Sequence, residues 1–113
     1  MRRVVVTGIG MVTPLGADAA SSWSRLCNAE SGIAPIERFD VSDMPCRIAG
    51  QVPVHVGEAE NSTGHSIDGA FHADAVLPLK ERRKIDDFIL YGIAAADEAI
   101  ADSGWQPSDA EAR

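Results

Sequence analysis

The run Val4-Val5-Val6, inside Arg3 to Ile9, constrains this chain most. Three consecutive β-branched residues favour a strand, and the absence of polar alternation predicts a strand covered on both faces. Such a strand needs other strands and helices around it. A chain of 113 residues buries only a modest core. The expectation is therefore an inner strand of a sheet that this chain does not complete, and a chain of marginal stability by itself.

Arg2 and Arg3 before an apolar run, with Ala17-Asp18-Ala19 downstream, partly mimic a secretory signal. Thr7, Gly8, Gly10, Thr13, Pro14 and Gly16 break the run, so a strand and Gly-rich turn fit better. No apolar stretch reaches the roughly 18 residues a membrane helix needs. The chain reads as cytoplasmic.

The turn Gly8-Ile9-Gly10 invites comparison with dinucleotide-binding loops. The third glycine of that pattern is replaced by Thr13, Gly16 comes too late, and Asp40 is only a loose substitute for the ribose-binding acid. A structural turn is the better reading, with an NAD(P)-dependent oxidoreductase piece as the weakest alternative. A helix follows over 17–29, with Trp23, Leu26 and Cys27 on one face and Gly32 as its stop. Residues 36–54 hold short extended pieces, and Arg47 to Val52 reads as a strand ahead of Pro53. Residues 55–76 lose periodicity and read as an exposed polar insertion or mobile loop. His55, His65 and His72 all fall there at spacings matching no common metal site. Asn61-Ser62-Thr63 is a formal glycosylation acceptor without meaning in a cytoplasmic chain.

The strongest pattern runs over 79–103. Ile85, Phe88, Ile89, Ile93, Ala96 and Ile100 recur at helical spacing. Pro78 suits a first turn, Ser103-Gly104 a stop, and Gly92 the close approach of a neighbour.

The net charge of −7 argues against a nucleic-acid surface. Yet Lys80, Arg82, Arg83 and Lys84 concentrate four of the ten basic residues in five positions. At about 100° per residue, Lys80, Arg83 and Lys84 share a face opposite Ile85, Ile89 and Ile93. Arg82 projects to the apolar side, so either it pairs with Asp86 or the basic stretch is a short turn of its own. A solvated charged face is the default for such a run. It also suits an acidic partner. Cys27 and Cys46 form no disulfide framework and read as small, buried or partly buried thiols. No Ser, Cys or His stands in a setting that supports nucleophilic catalysis.

Several ordered motifs together resemble one family. They are Arg2 to Gly16, Trp23, Glu30-Ser31-Gly32-Ile33, Arg38-Phe39-Asp40, Arg47-Ile48-Ala49-Gly50, Lys80 to Gly92 and Asp102-Ser103-Gly104-Trp105. They resemble the opening of β-ketoacyl synthases, and the Lys80 to Gly92 stretch is similar to the type II, carrier-protein-dependent subgroup. Only about 55–76 falls outside the likeness. The resemblance implies an α/β chain forming the N-terminal part of the first half of a thiolase-like, layered α/β/α/β/α fold, normally a homodimer. On that reading residues 1–113 are an incomplete N-terminal domain. The implied activity is fatty acyl elongation by decarboxylative Claisen condensation with malonyl-acyl carrier protein, through a cysteine and two histidines that lie downstream of Arg113. The chain would hold no catalytic residue, use no cofactor or metal, and be inactive alone. Lys80, Arg83 and Lys84 would contact the acidic acyl carrier protein. A docking module without chemistry is the second alternative.

Overall fold

A computed structural model describes residues 2–54 and 69–106. The element order is α1 (Ala19–Cys27), β1 (Ile33–Pro35), β2 (Ile48–Gly50), α2 (Ala73–Val76), α3 (Leu79–Arg82) and α4 (Asp87–Ser103).

α1 starts where Asp18 caps it, accepting the Ser21 amide at 2.7 Å. It ends at Asn28, and Ala29 turns the chain with φ of 57°. β1 and β2 pair antiparallel, with Ala34 opposite Ala49. Ahead of α1, Thr13 and Gly16 exchange backbone hydrogen bonds of 2.8 and 3.2 Å. The Thr13 hydroxyl also shares a 2.8 Å hydrogen bond with that of Ser22, which is buried in α1. The glycine–proline turn is thereby stitched to the helix that follows it.

The Val4 to Val6 segment, expected as an inner strand of a sheet that this chain does not complete, forms no strand among the described residues. It pairs with no strand there, and the three residues are 95%, 73% and 81% exposed. A strand needs a neighbour with free backbone groups, and β1 and β2 pair only with each other. Just downstream, the chain lies against α4 and runs opposite to it. The Ile9 amide donates to Asp102 Oδ2 at 2.9 Å, and the Met11 amide donates to Glu98 Oε2 at 2.8 Å. Two carboxylates one helical turn apart thus receive amides two residues apart.

The long helix expected over 79–103 is interrupted. α3 ends at Arg82, and the Lys84 and Ile85 amides close tighter turns onto Glu81 and Arg82 carbonyls. Asp86 is extended (φ −83°, ψ 158°), and α4 begins after it. The expected stop is present: Gly104 caps α4 with φ of 64°. Gly92 does not serve a close contact, since a Cβ there meets nothing within 4 Å.

The expected insertion at 55–76 divides in two. Residues 55–68 lie outside the described residues. The remainder is not an open loop: Ala70 and Phe71 are buried, and α2 follows. Phe71 bridges to Val54, and its ring meets Tyr91 edge-on at 4.9 Å. Among the described residues, Ala70, Phe71 and Leu90 make the small buried apolar core. Cys27 and Cys46 are exposed rather than buried, as are Trp23 and Leu26 on α1. Among the described residues no helix is long and apolar enough to cross a membrane.

So much uncovered Val, Ile, Phe and Trp surface has a consequence in solution. The purified chain is expected to bind a hydrophobic-surface dye strongly and to associate as its concentration rises. Sedimentation and dye titration check this; a monomer without dye response would contradict it.

Candidate interaction surface

α3 is a single turn between Pro78 (φ −59°) and Arg83. On and just after it, Lys80, Arg83 and Lys84 are all exposed. They are open to solvent as their spacing predicts, although they straddle a helix end rather than lying along one helix. Lys80 and Arg83 form no ion pair among the described residues. Lys84 does: its ammonium donates to both carboxylate oxygens of Glu81, at 3.2 and 3.0 Å.

Arg82 behaves differently. It turns inward and pairs with Asp74 of α2, not with Asp86. Its side chain is 22% exposed, and its Nε is buried without a partner among the described residues. Val54, Phe71, Ile85, Leu90 and Tyr91 share a cleft of about 180 Å³ with it. The sequence-level choice is therefore settled in favour of a separate short turn, and Arg82 joins α3 to α2.

Sequence reasoning gave Arg38 no role beyond its place in a motif. Its guanidinium donates to the Val52 carbonyl at 3.2 Å and to the Tyr91 hydroxyl at 3.3 Å, and it lies 3.9 Å from Asp87. The Tyr91 hydrogen bond raises the Arg38 pKa above its ordinary value, against a smaller lowering by burial; the Asp87 charge adds to the rise. Arg38 thus ties the loop before β2, the segment after it, and α4 together. Only a tertiary contact reveals this.

The dinucleotide reading meets two obstacles. A Cβ at Gly8 would lie 2.2 Å from the Ala99 carbonyl oxygen, and one at Gly10 would lie 1.9 Å from that of Ala95. The space those glycines leave is filled by α4, so no pyrophosphate approaches there. Asp40 instead accepts the Ser42 amide at 3.0 Å, which holds its carboxyl below the usual carboxylate range, with the Ser42 side chain adding to the effect. Of the three histidines only His72 lies within the described residues, where it precedes α2. Among those residues no three His, Cys, Asp or Glu side chains gather as metal ligands would.

What remains is an exposed cluster of cations on and just after the single turn of α3. Comparison with known proteins gives it a family. Residues 1–113 match the family model described as beta-ketoacyl synthase, N-terminal domain. The chain belongs to the β-ketoacyl synthase family. It is 44% identical, over 98% of its length, to 3-oxoacyl-[acyl-carrier-protein] synthase 2 of Rhizobium meliloti (strain 1021), and covers 24% of that protein. It is 39% identical to the enzyme of the same name from Vibrio cholerae serotype O1, over 98% of this chain and 23% of the relative. The chloroplastic 3-oxoacyl-[acyl-carrier-protein] synthase II of Arabidopsis thaliana is 36% identical over 91% of this chain and 16% of the relative. The chain spans about a quarter or less of the length of these curated relatives.

Proposed function

We propose that this chain serves as the N-terminal segment of a 3-oxoacyl-[acyl-carrier-protein] synthase, an acyltransferase that elongates fatty acyl chains by decarboxylative condensation. The reading leans on the names of relatives that align along nearly all of the chain. The segment's own contribution is to dock an acidic acyl carrier protein through Lys80, Arg83 and Lys84. The observation that carries this part is the exposure of all three cations on one braced turn. Bond-making falls to a cysteine and two histidines outside residues 1–113. A thiolase-like layered sheet, in which Val4 to Val6 becomes an inner strand, belongs to the same proposal, as do a homodimer and a cytoplasmic setting. The lack of any nucleophile setting in this sequence favours a second reading, a docking module without chemistry. Condensing activity in a protein that carries this segment separates the two.

Opposing charges across an interface orient the encounter and speed association, and like charges facing each other are penalised. The double variant Lys80→Glu/Arg83→Glu is expected to weaken carrier binding about tenfold or more, equivalent to at least ~1.4 kcal/mol. The salt dependence of binding should flatten as well. Calorimetric or anisotropy titration measures both. Unchanged affinity removes the surface from the proposal.

A further inference from the structure

We infer that Glu81 is a built-in competitor for the docking surface, holding Lys84 back until an acidic partner displaces it. This rests on the carrier-docking reading above and adds to it which cations a partner meets and what sets the strength of the contact.

The four basic side chains of the cluster are not equivalent. Arg82 is withdrawn, because its guanidinium pairs with Asp74 and its side chain is mostly covered. Lys80 and Arg83 are exposed and unpaired among the described residues. Lys84 is exposed but engaged, with both Glu81 oxygens within 3.2 Å of its ammonium. Glu81 itself sits in α3 between Lys80 and Arg83, and its side chain is 50% exposed. An acidic protein approaching this turn therefore meets two free cations, one cation whose charge is locally neutralised, and one carboxylate in their midst.

Two effects follow, and both oppose docking. The partner's carboxylate must replace that of Glu81 at the Lys84 ammonium, a near-even exchange of one exposed ion pair for another. Once displaced, Glu81 faces the acidic partner and repels it. Partners with several carboxylates arranged to reach Lys80, Arg83 and Lys84 together overcome this; weakly acidic ones do not. Glu81 thus sets a threshold of acidity for the surface.

The ordinary alternative is a surface pair that shapes only α3. Exposed pairs are weak, so removing one changes binding by a small factor. Relief of this competition corresponds to about two- to fivefold. The test uses a protein that carries this segment, with an acyl carrier protein as the acidic probe. Glu81→Gln keeps the side chain's size and removes its charge. Glu37→Gln, at an exposed position outside the basic cluster, removes an equal charge elsewhere. Expected are two- to fivefold tighter binding for Glu81→Gln at low salt, a gap that closes as salt rises, no comparable change for Glu37→Gln, and overlapping melting curves. Equal gains in the two variants would mean a general field effect and overturn the inference. Unchanged or weaker binding by Glu81→Gln, while Lys80→Glu/Arg83→Glu still loses affinity, would also overturn it and leave the docking reading standing. If the double reversal itself has no effect, the docking reading fails and this inference goes with it.

Discussion

Gly10→Ala is expected to lower the thermal midpoint by about ten degrees or more, whereas Gly92→Ala, in the helix that Gly10 touches, should raise it slightly. The opposite signs come from what each new methyl meets. At Gly10 the Cβ falls 1.9 Å from the Ala95 carbonyl oxygen and 2.6 Å from the Ala99 amide nitrogen. Both are backbone atoms of α4, so no side-chain rotation relieves the clash, and helix and segment must separate. Overpacking of this kind costs typically about 1–3 kcal/mol, and 1 kcal/mol is worth roughly 4–8 °C for a domain of 60–100 residues. At Gly92 the methyl meets nothing within 4 Å and lies mid-helix, where alanine is favoured over glycine by roughly 0.5–1 kcal/mol. Circular dichroism melts of the two variants against the parent decide the matter. A Gly10→Ala protein that melts like the parent would show that the N-terminal segment does not lie on α4.

The second large effect is expected at Glu98. Its two carboxylate oxygens serve two distant places at once: Oε2 accepts the Met11 amide and Oε1 the Ala19 amide, each at 2.8 Å. One side chain thus fixes the exit of the N-terminal segment and the first turn of α1 on the same face of α4. Hydrogen bonds to charged groups contribute roughly 1.5–3 kcal/mol each, and part-buried donors left without an acceptor add a desolvation penalty. Glu98→Ala should therefore cost about 3–5 kcal/mol, a large share of the 5–15 kcal/mol typical of a whole domain. Glu98→Gln keeps one acceptor but turns an NH₂ group towards the other amide, so it recovers only part of the loss. Asp102→Ala should cost less, since the Ile9 hydrogen bond is exposed. Denaturant titration measures the series, and hydrogen exchange at the Met11 and Ala19 amides locates the damage. A Glu98→Ala variant within 1 kcal/mol of the parent would refute this role.

How much of this was legible in the sequence depended on whether local or distant groups decided each feature. The stop at Ser103-Gly104 was plain, because a glycine with φ of 64° is a local device. The pairing of β1 with β2 was visible only on its second side, from Arg47 to Val52; Ile33 to Pro35 is too short to show alternation. The break between α3 and α4 was hidden by coincidence. Ile85, Ile89 and Ile93 keep helical phase on both sides of Asp86, so the apolar pattern does not register the extended residue between Arg82 and Phe88. Val4 to Val6 are the opposite case. β-branched residues favour a strand, but only a neighbouring strand can complete one, and among the described residues none is there. Phe71 was lost in polar surroundings, since a single aromatic has no periodicity of its own.

The candidate site was half legible. Spacing alone separated Lys80, Arg83 and Lys84 from Arg82. The partner of Arg82 was not foreseeable, because Asp74 sits on another helix and the chain between them turns at Pro78. The hydrogen bond between Arg38 and Tyr91 spans 53 positions and leaves no local mark.

The bridge between Val54 and Phe71, with the Phe71 amide donating to the Pro53 carbonyl at 2.6 Å, also governs how this region can diversify. It brings the two ends of the sequence between them to one point and pins them. Once two ends are pinned together, a longer connection between them costs little more to close, about 0.6 kcal/mol for each doubling of its length. Relatives that gain or lose residues there would therefore keep α2, α3 and their cations in place. Changes of length there would leave the Val54–Phe71 contact, and the helices that follow it, where they are.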